Sequence, residues 1–284
     1  WVAGYLFTVP VFIVLLGFVA YPFFSAIYLS MTNTMLGGVG AFVGLNNYIY
    51  LLGNQRFQTA AINSIVLTVS AVGLKLTLGM IVALVLNQAL RPKMLWRMLF
   101  FLPWSIPVVI SAYNWRWIYD DLVGILSLTL IQVGLTQDYI LWLANKQLVL
   151  KSIIAAEVWQ GTPFYIMNFL AGLSSIPTEM YEAAEVDGAN PVQKFFSITL
   201  PSLVPVIIVT ALLSTIWTSN SMQMVFVLTK GGPNGASLIF PYLAYNQAIE
   251  LKQLGLGSAV PLMFFPVFAV IIYFLTRRLL REEE

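Results

Sequence analysis

The chain has 284 residues, 59% of them hydrophobic and only 9% charged, with a net charge of +2, whereas soluble domains carry about 25% charged residues; this is the composition of an integral membrane protein. It has no cysteine and no histidine, so thiolate nucleophiles, disulfides, the usual soft-metal ligands and the commonest general base are all missing, which argues against catalysis. The near-neutral balance argues against nucleic acid as a partner.

A transmembrane helix needs about 20 apolar residues, and six stretches qualify: 2–31, 62–90, 95–118, 148–174, 203–228 and 256–280. Such runs do not alternate as the roughly ten-residue strands of a membrane barrel do. The predicted fold class is therefore all-α, a polytopic membrane helical bundle of six transmembrane helices with both ends on one side. The first stretch has no basic segment before it and no small-residue cleavage site after it, so it does not read as a removable signal peptide. In the outer segment that follows, 32–61, turns are expected at Gly37, Gly38 and Gly40. The second stretch carries Lys75, and the short connection after it carries Arg91, Lys93 and Arg97. Together with Arg277, Arg278 and Arg281 in the tail, that cluster close to the span ends is expected on the cytoplasmic side, even though basic residues elsewhere nearly balance the total.

Pro103, Pro107, Pro163, Pro261 and Pro266 fall inside predicted spans, where neighbouring helices can re-satisfy the backbone and kinks around a pathway are expected. Two more outer segments, 119–147 and 229–255, are long enough for an ordered exterior surface that docks a partner, the second turning at Gly231, Gly232 and Pro233.

Between the fourth and fifth stretches, Pro177 to Pro201 is too polar for the membrane and is expected in the cytoplasm. Thr178 suits a helix N-cap, Glu179 the first turn, and Gly188 a left-handed helix end. Asn190 followed by Pro191 then opens a second helix, cap before proline. The expected result is two short helices joined by a glycine turn across the ends of the bundle. Ala183 and Ala184 leave one flank thin enough for another protein to approach closely, with Glu182 and Glu185 beside it. An elbow tied to two spans is suited to passing on a push from a soluble motor.

Glu182, Ala183 and Ala184, then Gly188, then nine residues to Ile198, Thr199, Leu200 and Pro201, resemble the cytoplasmic signature loop of permease subunits in binding-protein-dependent ABC importers. Every fixed position of that signature is present at its spacing. The resemblance spans nearly the whole chain and points to the carbohydrate-uptake branch, similar to the larger permease of maltose-type importers, through FVGLNNY at 42–48, LPWSIP at 102–107 and LTKGGP at 228–233. The six spans expected here do not include the extra N-terminal spans and large outer domain of the maltose permease, so docking details are not carried over.

The resemblance implies ATPase coupling through Glu179, Glu182, Ala183, Ala184, Asp187, Gly188, Ile198, Leu200 and Pro201. The implied partners are a second homologous permease subunit, two ATP-binding cassette subunits and an extracytoplasmic solute-binding protein, all at the lipid membrane. ATP and magnesium would be held by the cassette subunits, and this chain has no phosphate-cradling glycine loop and no cofactor of its own. Residues 1–61 would form the first transmembrane helix and outer loop, and 62–284 a permease core of five transmembrane helices with the coupling loop 177–201.

Polar residues inside a span face a cavity or one another. Glu157, Gln160, Gly161 and Phe164 share one helical face by spacing, and Ser214, Thr218 and Ser221 share another. These stripes are expected to line one solute pathway, with Trp159 or Phe164 stacking on a sugar ring, and they match by position the sugar-contacting residues of the maltose-type permease. Thr162, Asn168, Asn220 and Gln223 are further polar residues of the same spans; serine and threonine bonding within their own helix or across to a neighbour, and Gly161 merely permitting close packing, are the plainer reading. At a rise of ~1.5 Å per residue, Lys75 and Glu157 lie at similar depth and are candidates to pair, with snorkelling of Lys75 as the alternative. An ion-coupled carrier is the rival function, disfavoured because Glu157 is the lone acidic residue well inside a span. An intramembrane enzyme has no candidate beyond that same carboxylate.

Overall fold

The computed structural model describes residues 2–88 and 92–282. Arg91 lies outside the described residues, and the side chains of Lys93, Arg278 and Arg281, also invoked for orientation, lie outside the described side chains.

The described residues are mainly helical, and among them there is no β-strand, only an isolated antiparallel bridge between Thr32 and Phe42. Helices α1 (Val2–Leu15) and α2 (Tyr21–Ser30) run on through a π-helical turn, Leu16–Ala20. Helix α3 (Asn46–Gly53) precedes α4 (Gln55–Asn87), which begins well before the predicted residue 62. The predicted third span is broken: α5 (Lys93–Ser105) and α6 (Val108–Ile118) meet at 95°. Pro107 forces this, because the residue before a proline is pushed out of the helical region; Ile106 is extended, with ψ 129°.

Helix α7 (Ile125–Gln132) lies in the next connection, followed by α8 (Val149–Ser174), α9 (Thr178–Val186) and α10 (Pro191–Lys194). A second π turn, Phe195–Thr199, leads into α11 (Leu200–Ser219). The predicted fifth span, 203–228, is interrupted after Ser219 and resumes as α12 (Gln223–Leu228). Helix α13 (Phe240–Tyr245), a third π turn (Asn246–Glu250) and α14 (Leu254–Glu282) complete the chain.

Phe7–Ser30, Gln55–Asn87 and Pro191–Leu228 are each long and apolar enough to cross a membrane, and the bent α5–α6 pair makes a fourth if it counts as one span. Helix α8 has the length but carries Lys151, Glu157, Gln160 and Asn168, and among the residues whose side chains are described the apolar stretch of α14 is Leu254–Val267, in a helix whose sequence stays apolar up to Thr276. Among the described residues, length and apolarity by themselves thus mark three or four of the expected six.

Two compact units form, one from Trp1–Ala61 with Ile239–Phe268 and one from Ile62–Leu238 with Ala269–Glu284. In the first, the amide of Asn47 donates to the carbonyls of Ser30 and Thr32 at 2.8 Å each. The N–H groups of Leu36 and Gly255 reach the carbonyls of Lys252 and Thr34 at 2.7 and 3.0 Å. The ring of Phe240 packs on Phe57 and Phe264.

The second unit is built around α8, which packs against α5, α6, α11 and α12. Tyr165, Ile166 and Phe169 of α8 are buried with Met80 and Leu86 of α4 and Leu203 of α11. Asn63 of α4 fixes the turn after α12, its amide shared among the carbonyls of Gly235, Ala236 and Leu238 at 3.0–3.2 Å.

Candidate functional site

Two constellations in the second unit bring together residues that the sequence singles out. The first is the polar elbow. Helix α9 buries none of its residues, and its stiffness comes from backbone geometry. Pro177 occupies the N-cap position and no side chain caps the helix, so Thr178 is the first helical residue rather than the predicted cap. At the other end Gly188 has φ +76°, Ala189 N–H donates to Ala184 O at 2.8 Å and Gly188 N–H to Glu185 O at 3.0 Å. That is the paired closure of a Schellman motif, for which glycine carries no steric penalty.

Asn190 and Gln193 form a reciprocal capping box, side chain to backbone at 2.8 and 2.9 Å, with Pro191 in the first turn. Two side-chain links tie the helices together: Tyr181 Oη to Thr199 Oγ1 at 2.9 Å and Lys194 Nζ to Glu185 Oε1 at 2.5 Å. Glu179, Glu182, Ala183, Asp187 and Gly188 are exposed and Ala184 half-buried. Ile198 sits in the π turn, Leu200 opens α11 and Pro201 follows it. Pro201 accounts for the wide turn, since it supplies no N–H and its ring clashes with the carbonyl four residues back. Leu200 N–H accordingly bonds to Phe195 O, five residues back. The first π turn has the same grammar, with Tyr21 N–H bonded to Leu16 O just before Pro22.

The second constellation is a cavity of about 580 Å³. Glu157, Gln160, Gly161 and Phe164 of α8 border it on one side, and Ser214, Thr218 and Ser221 on another, so seven of the eight predicted pathway residues meet there. Trp159 does not border it; it packs edge-on against Trp115 with centroids 5.6 Å apart. The aromatic wall consists instead of Phe164 and Trp217, T-shaped at 5.0 Å, together with Trp104. Ser221 lies past the end of α11, and it reaches Glu157 because the helix has already stopped at Ser219.

The charge pair weighed from depth alone is present. Lys75 and Glu157 are buried, 4% and 6% exposed, with Nζ 3.9 Å from Oε2. Lys75 Nζ donates to Thr218 Oγ1 at 3.0 Å, and Ser221 Oγ donates to Glu157 Oε1 at 2.6 Å. Gly161 makes room for this: a Cβ there would lie 2.7 Å from Lys75 Cε and 2.8 Å from Nζ. Gln160 donates to Ile106 O at 3.0 Å, taking up a carbonyl released by the α5–α6 break, while its own Oε1 has no partner within the chain. Thr162 follows the plainer reading, bonding back to Val158 O of its own helix, as do Thr218 and Ser221 in bonding across to Lys75 and Glu157; Asn168 bonds back to Phe164 O.

Sequence reasoning missed Trp104, Ser105, Ile106, Pro107 and Val108 as cavity residues; the signal was the pair of prolines in LPWSIP. Among the described residues no group of three or more acidic, histidine or cysteine side chains is placed to hold a metal.

Residues 75–282 match the family described as "Binding-protein-dependent transport system inner membrane component". The trehalose/maltose transport system permease protein MalF of Thermococcus litoralis is 35% identical over 263 residues, 92% of this chain and 88% of that protein. A crystal structure of a bacterial ABC transporter involved in import of the acidic polysaccharide alginate has the same fold, with a TM-score of 0.85, 21% identity, and coverage of 98% of this chain and 94% of that one. The alginate transporter in complex with an alginate pentasaccharide-bound periplasmic protein superposes with a TM-score of 0.81 at 21% identity, covering 95% and 91% of the two chains.

Proposed function

From the premise that this chain belongs to the family of binding-protein-dependent transport system inner membrane components, we propose that it carries a sugar or sugar-like solute, such as an oligosaccharide or polyol, into the cytoplasm. It is a permease subunit of an ABC importer in the inner membrane. The ion-coupled alternative finds no support among its relatives.

In this reading the chain forms half of a pathway completed by a second, similar permease. Two ATP-binding cassette subunits, which hold the ATP and magnesium, engage the elbow from the cytoplasm. An extracytoplasmic binding protein delivers solute from the other side, as the periplasmic protein in the alginate complex suggests. The sugar class is supported by the trehalose/maltose relative and by a wall of hydroxyls and amides beside the faces of Phe164 and Trp217, the mixture of hydrogen bonding and apolar surface a sugar ring needs.

One observation carries the mechanism. The run Pro191–Leu228 has the elbow at one end and the cavity wall at the other. Thr199, bonded to Tyr181, and Thr218, bonded to Lys75, are separated by ~28 Å of helix at 1.5 Å per residue. Closure of the cassette dimer displaces the elbow, and α11 delivers that displacement to Ser214, Thr218 and the residues just beyond. The free energy comes from nucleotide outside this chain, and the solute contacts lie inside it.

The test is uptake into vesicles containing the complete importer, with residues 182–184 scrambled. The expected result is loss of ATP-driven uptake together with loss of solute-stimulated ATP hydrolysis. Uptake that persists, or uptake driven by an ion gradient with no cassette subunit present, overturns the reading.

A further inference from the structure

Among the described residues, Lys75 and Glu157 are the two charged ones bordering the cavity; every other side chain described there is polar or apolar. An ammonium at this depth is costly unless compensated, and a long side chain ordinarily snorkels toward water instead. Here it does not. Lys75 crosses over Gly161, where any side chain would collide with it, and ends on Thr218. Glu157 is held in turn by Ser221. The ends of the two groups are 3.9 Å apart, close enough to cancel as charges and too far for a direct hydrogen bond.

We infer that Lys75 and Glu157 are a charge filter, cancelling one another so that this chain's share of the cavity wall is electrically neutral and admits uncharged polyhydroxylated solutes in preference to acidic ones. The inference rests on reading the cavity as part of the solute pathway. An acidic solute would bring a second anion beside Glu157 with no further cation among the described residues of this wall to balance it. A neutral solute leaves the balance untouched. The hydrogen-bonding pattern agrees: Lys75 has donors beyond the one given to Thr218, and the buried Oε1 of Gln160 is an acceptor without a partner. A hydroxyl answers both a donor and an acceptor, whereas a carboxylate answers donors alone.

The test uses the whole importer purified with its partner subunits. A panel of neutral di- and trisaccharides and their uronic-acid counterparts is titrated, with binding read from the fluorescence of the cavity tryptophans, Trp104 and Trp217. The wild-type complex should prefer the neutral member of each pair. Glu157→Gln leaves Lys75 uncompensated and should move the ratio toward the acids by about tenfold, the equivalent of 1.4 kcal/mol. Lys75→Met should move it the opposite way, and the double variant Lys75→Met/Glu157→Gln should return it to the wild-type value. Asn220→Lys adds a cation at an exposed cavity residue without touching the pair, should shift the ratio in the same direction as Glu157→Gln, and keeps the test decisive if that variant does not assemble. Neutral sugars bound by the wild type with a ratio unmoved in these variants overturn the charge filter alone. A wild-type complex that binds neither class overturns the sugar reading and the filter with it.

Discussion

The elbow and the cavity are stiff for opposite reasons. The elbow buries no residue of α9 and is held by bonds between near neighbours: a Schellman closure, a capping box, one hydroxyl pair and one ion pair. The cavity is held by groups far apart in sequence, with Lys75 bonded to a residue 143 positions away and Glu157 to one 64 positions away. Backbone devices keep their shape when the surface around them changes, which suits a part that another protein grips. Buried charges hold their shape only while every partner is present, which suits a part that must register what enters it. Damage to the elbow should therefore uncouple transport at little cost in stability, while damage to the cavity should cost both.

The sharpest way to break this contrast is to strand one buried charge. Glu157→Ala should destabilise the assembled permease by about 3–5 kcal/mol, because an uncompensated buried ion remains; the thermal midpoint of the purified complex measures it, and Lys75→Met in the same chain should recover most of the loss. Gly161→Ala comes next, at about 1–3 kcal/mol, since the added methyl meets the Lys75 side chain; most of that cost should vanish in a Lys75→Ala background. At the elbow, Gly188→Ala should cost about 1–2 kcal/mol for a left-handed non-glycine residue and lower solute-stimulated ATP hydrolysis without changing solute affinity. Asn190→Ala should cost about 1 kcal/mol through the lost cap, with the same functional signature. Lys194→Ala should be the mildest, about 0–1 kcal/mol, as its partner Glu185 is largely exposed. Equal losses of stability from elbow and cavity variants would erase the distinction.

Much of the elbow was legible because its determinants are local. Gly188, Asn190 and Pro191 announce a turn and a cap within a few residues of where they act. The error at Thr178 was local too: Pro177, with ψ 133°, already occupies the entry position. The α8 face was legible from helical spacing, since a regular helix turns Glu157, Gln160, Gly161 and Phe164 to one side. Trp159 was misplaced because an aromatic beside the polar stripe can serve packing as well as the cavity, and Trp115 decides that question from a distant helix. The break between α5 and α6 was read as a kink, because two prolines announce a disturbance without stating its angle. The interruption after Ser219 left no comparable mark, so Ser221 was assigned to the right place by the wrong geometry.

The π turn at Phe195–Thr199 lets the run from elbow to cavity do more than carry a push. One surplus residue in an α-helix rotates everything beyond it by about 100° relative to what lies before. The elbow and the cavity wall are thus out of phase by design, and Pro201 stops the surplus from being handed up α11, since the helix cannot tighten across a missing N–H. The slack is trapped at the shoulder between α10 and α11. Under the proposed coupling, a twist applied to α10 is expected to be taken up there as unwinding before α11 turns, which would give the lever a dead zone, insensitive to small jostling and responsive to a full stroke.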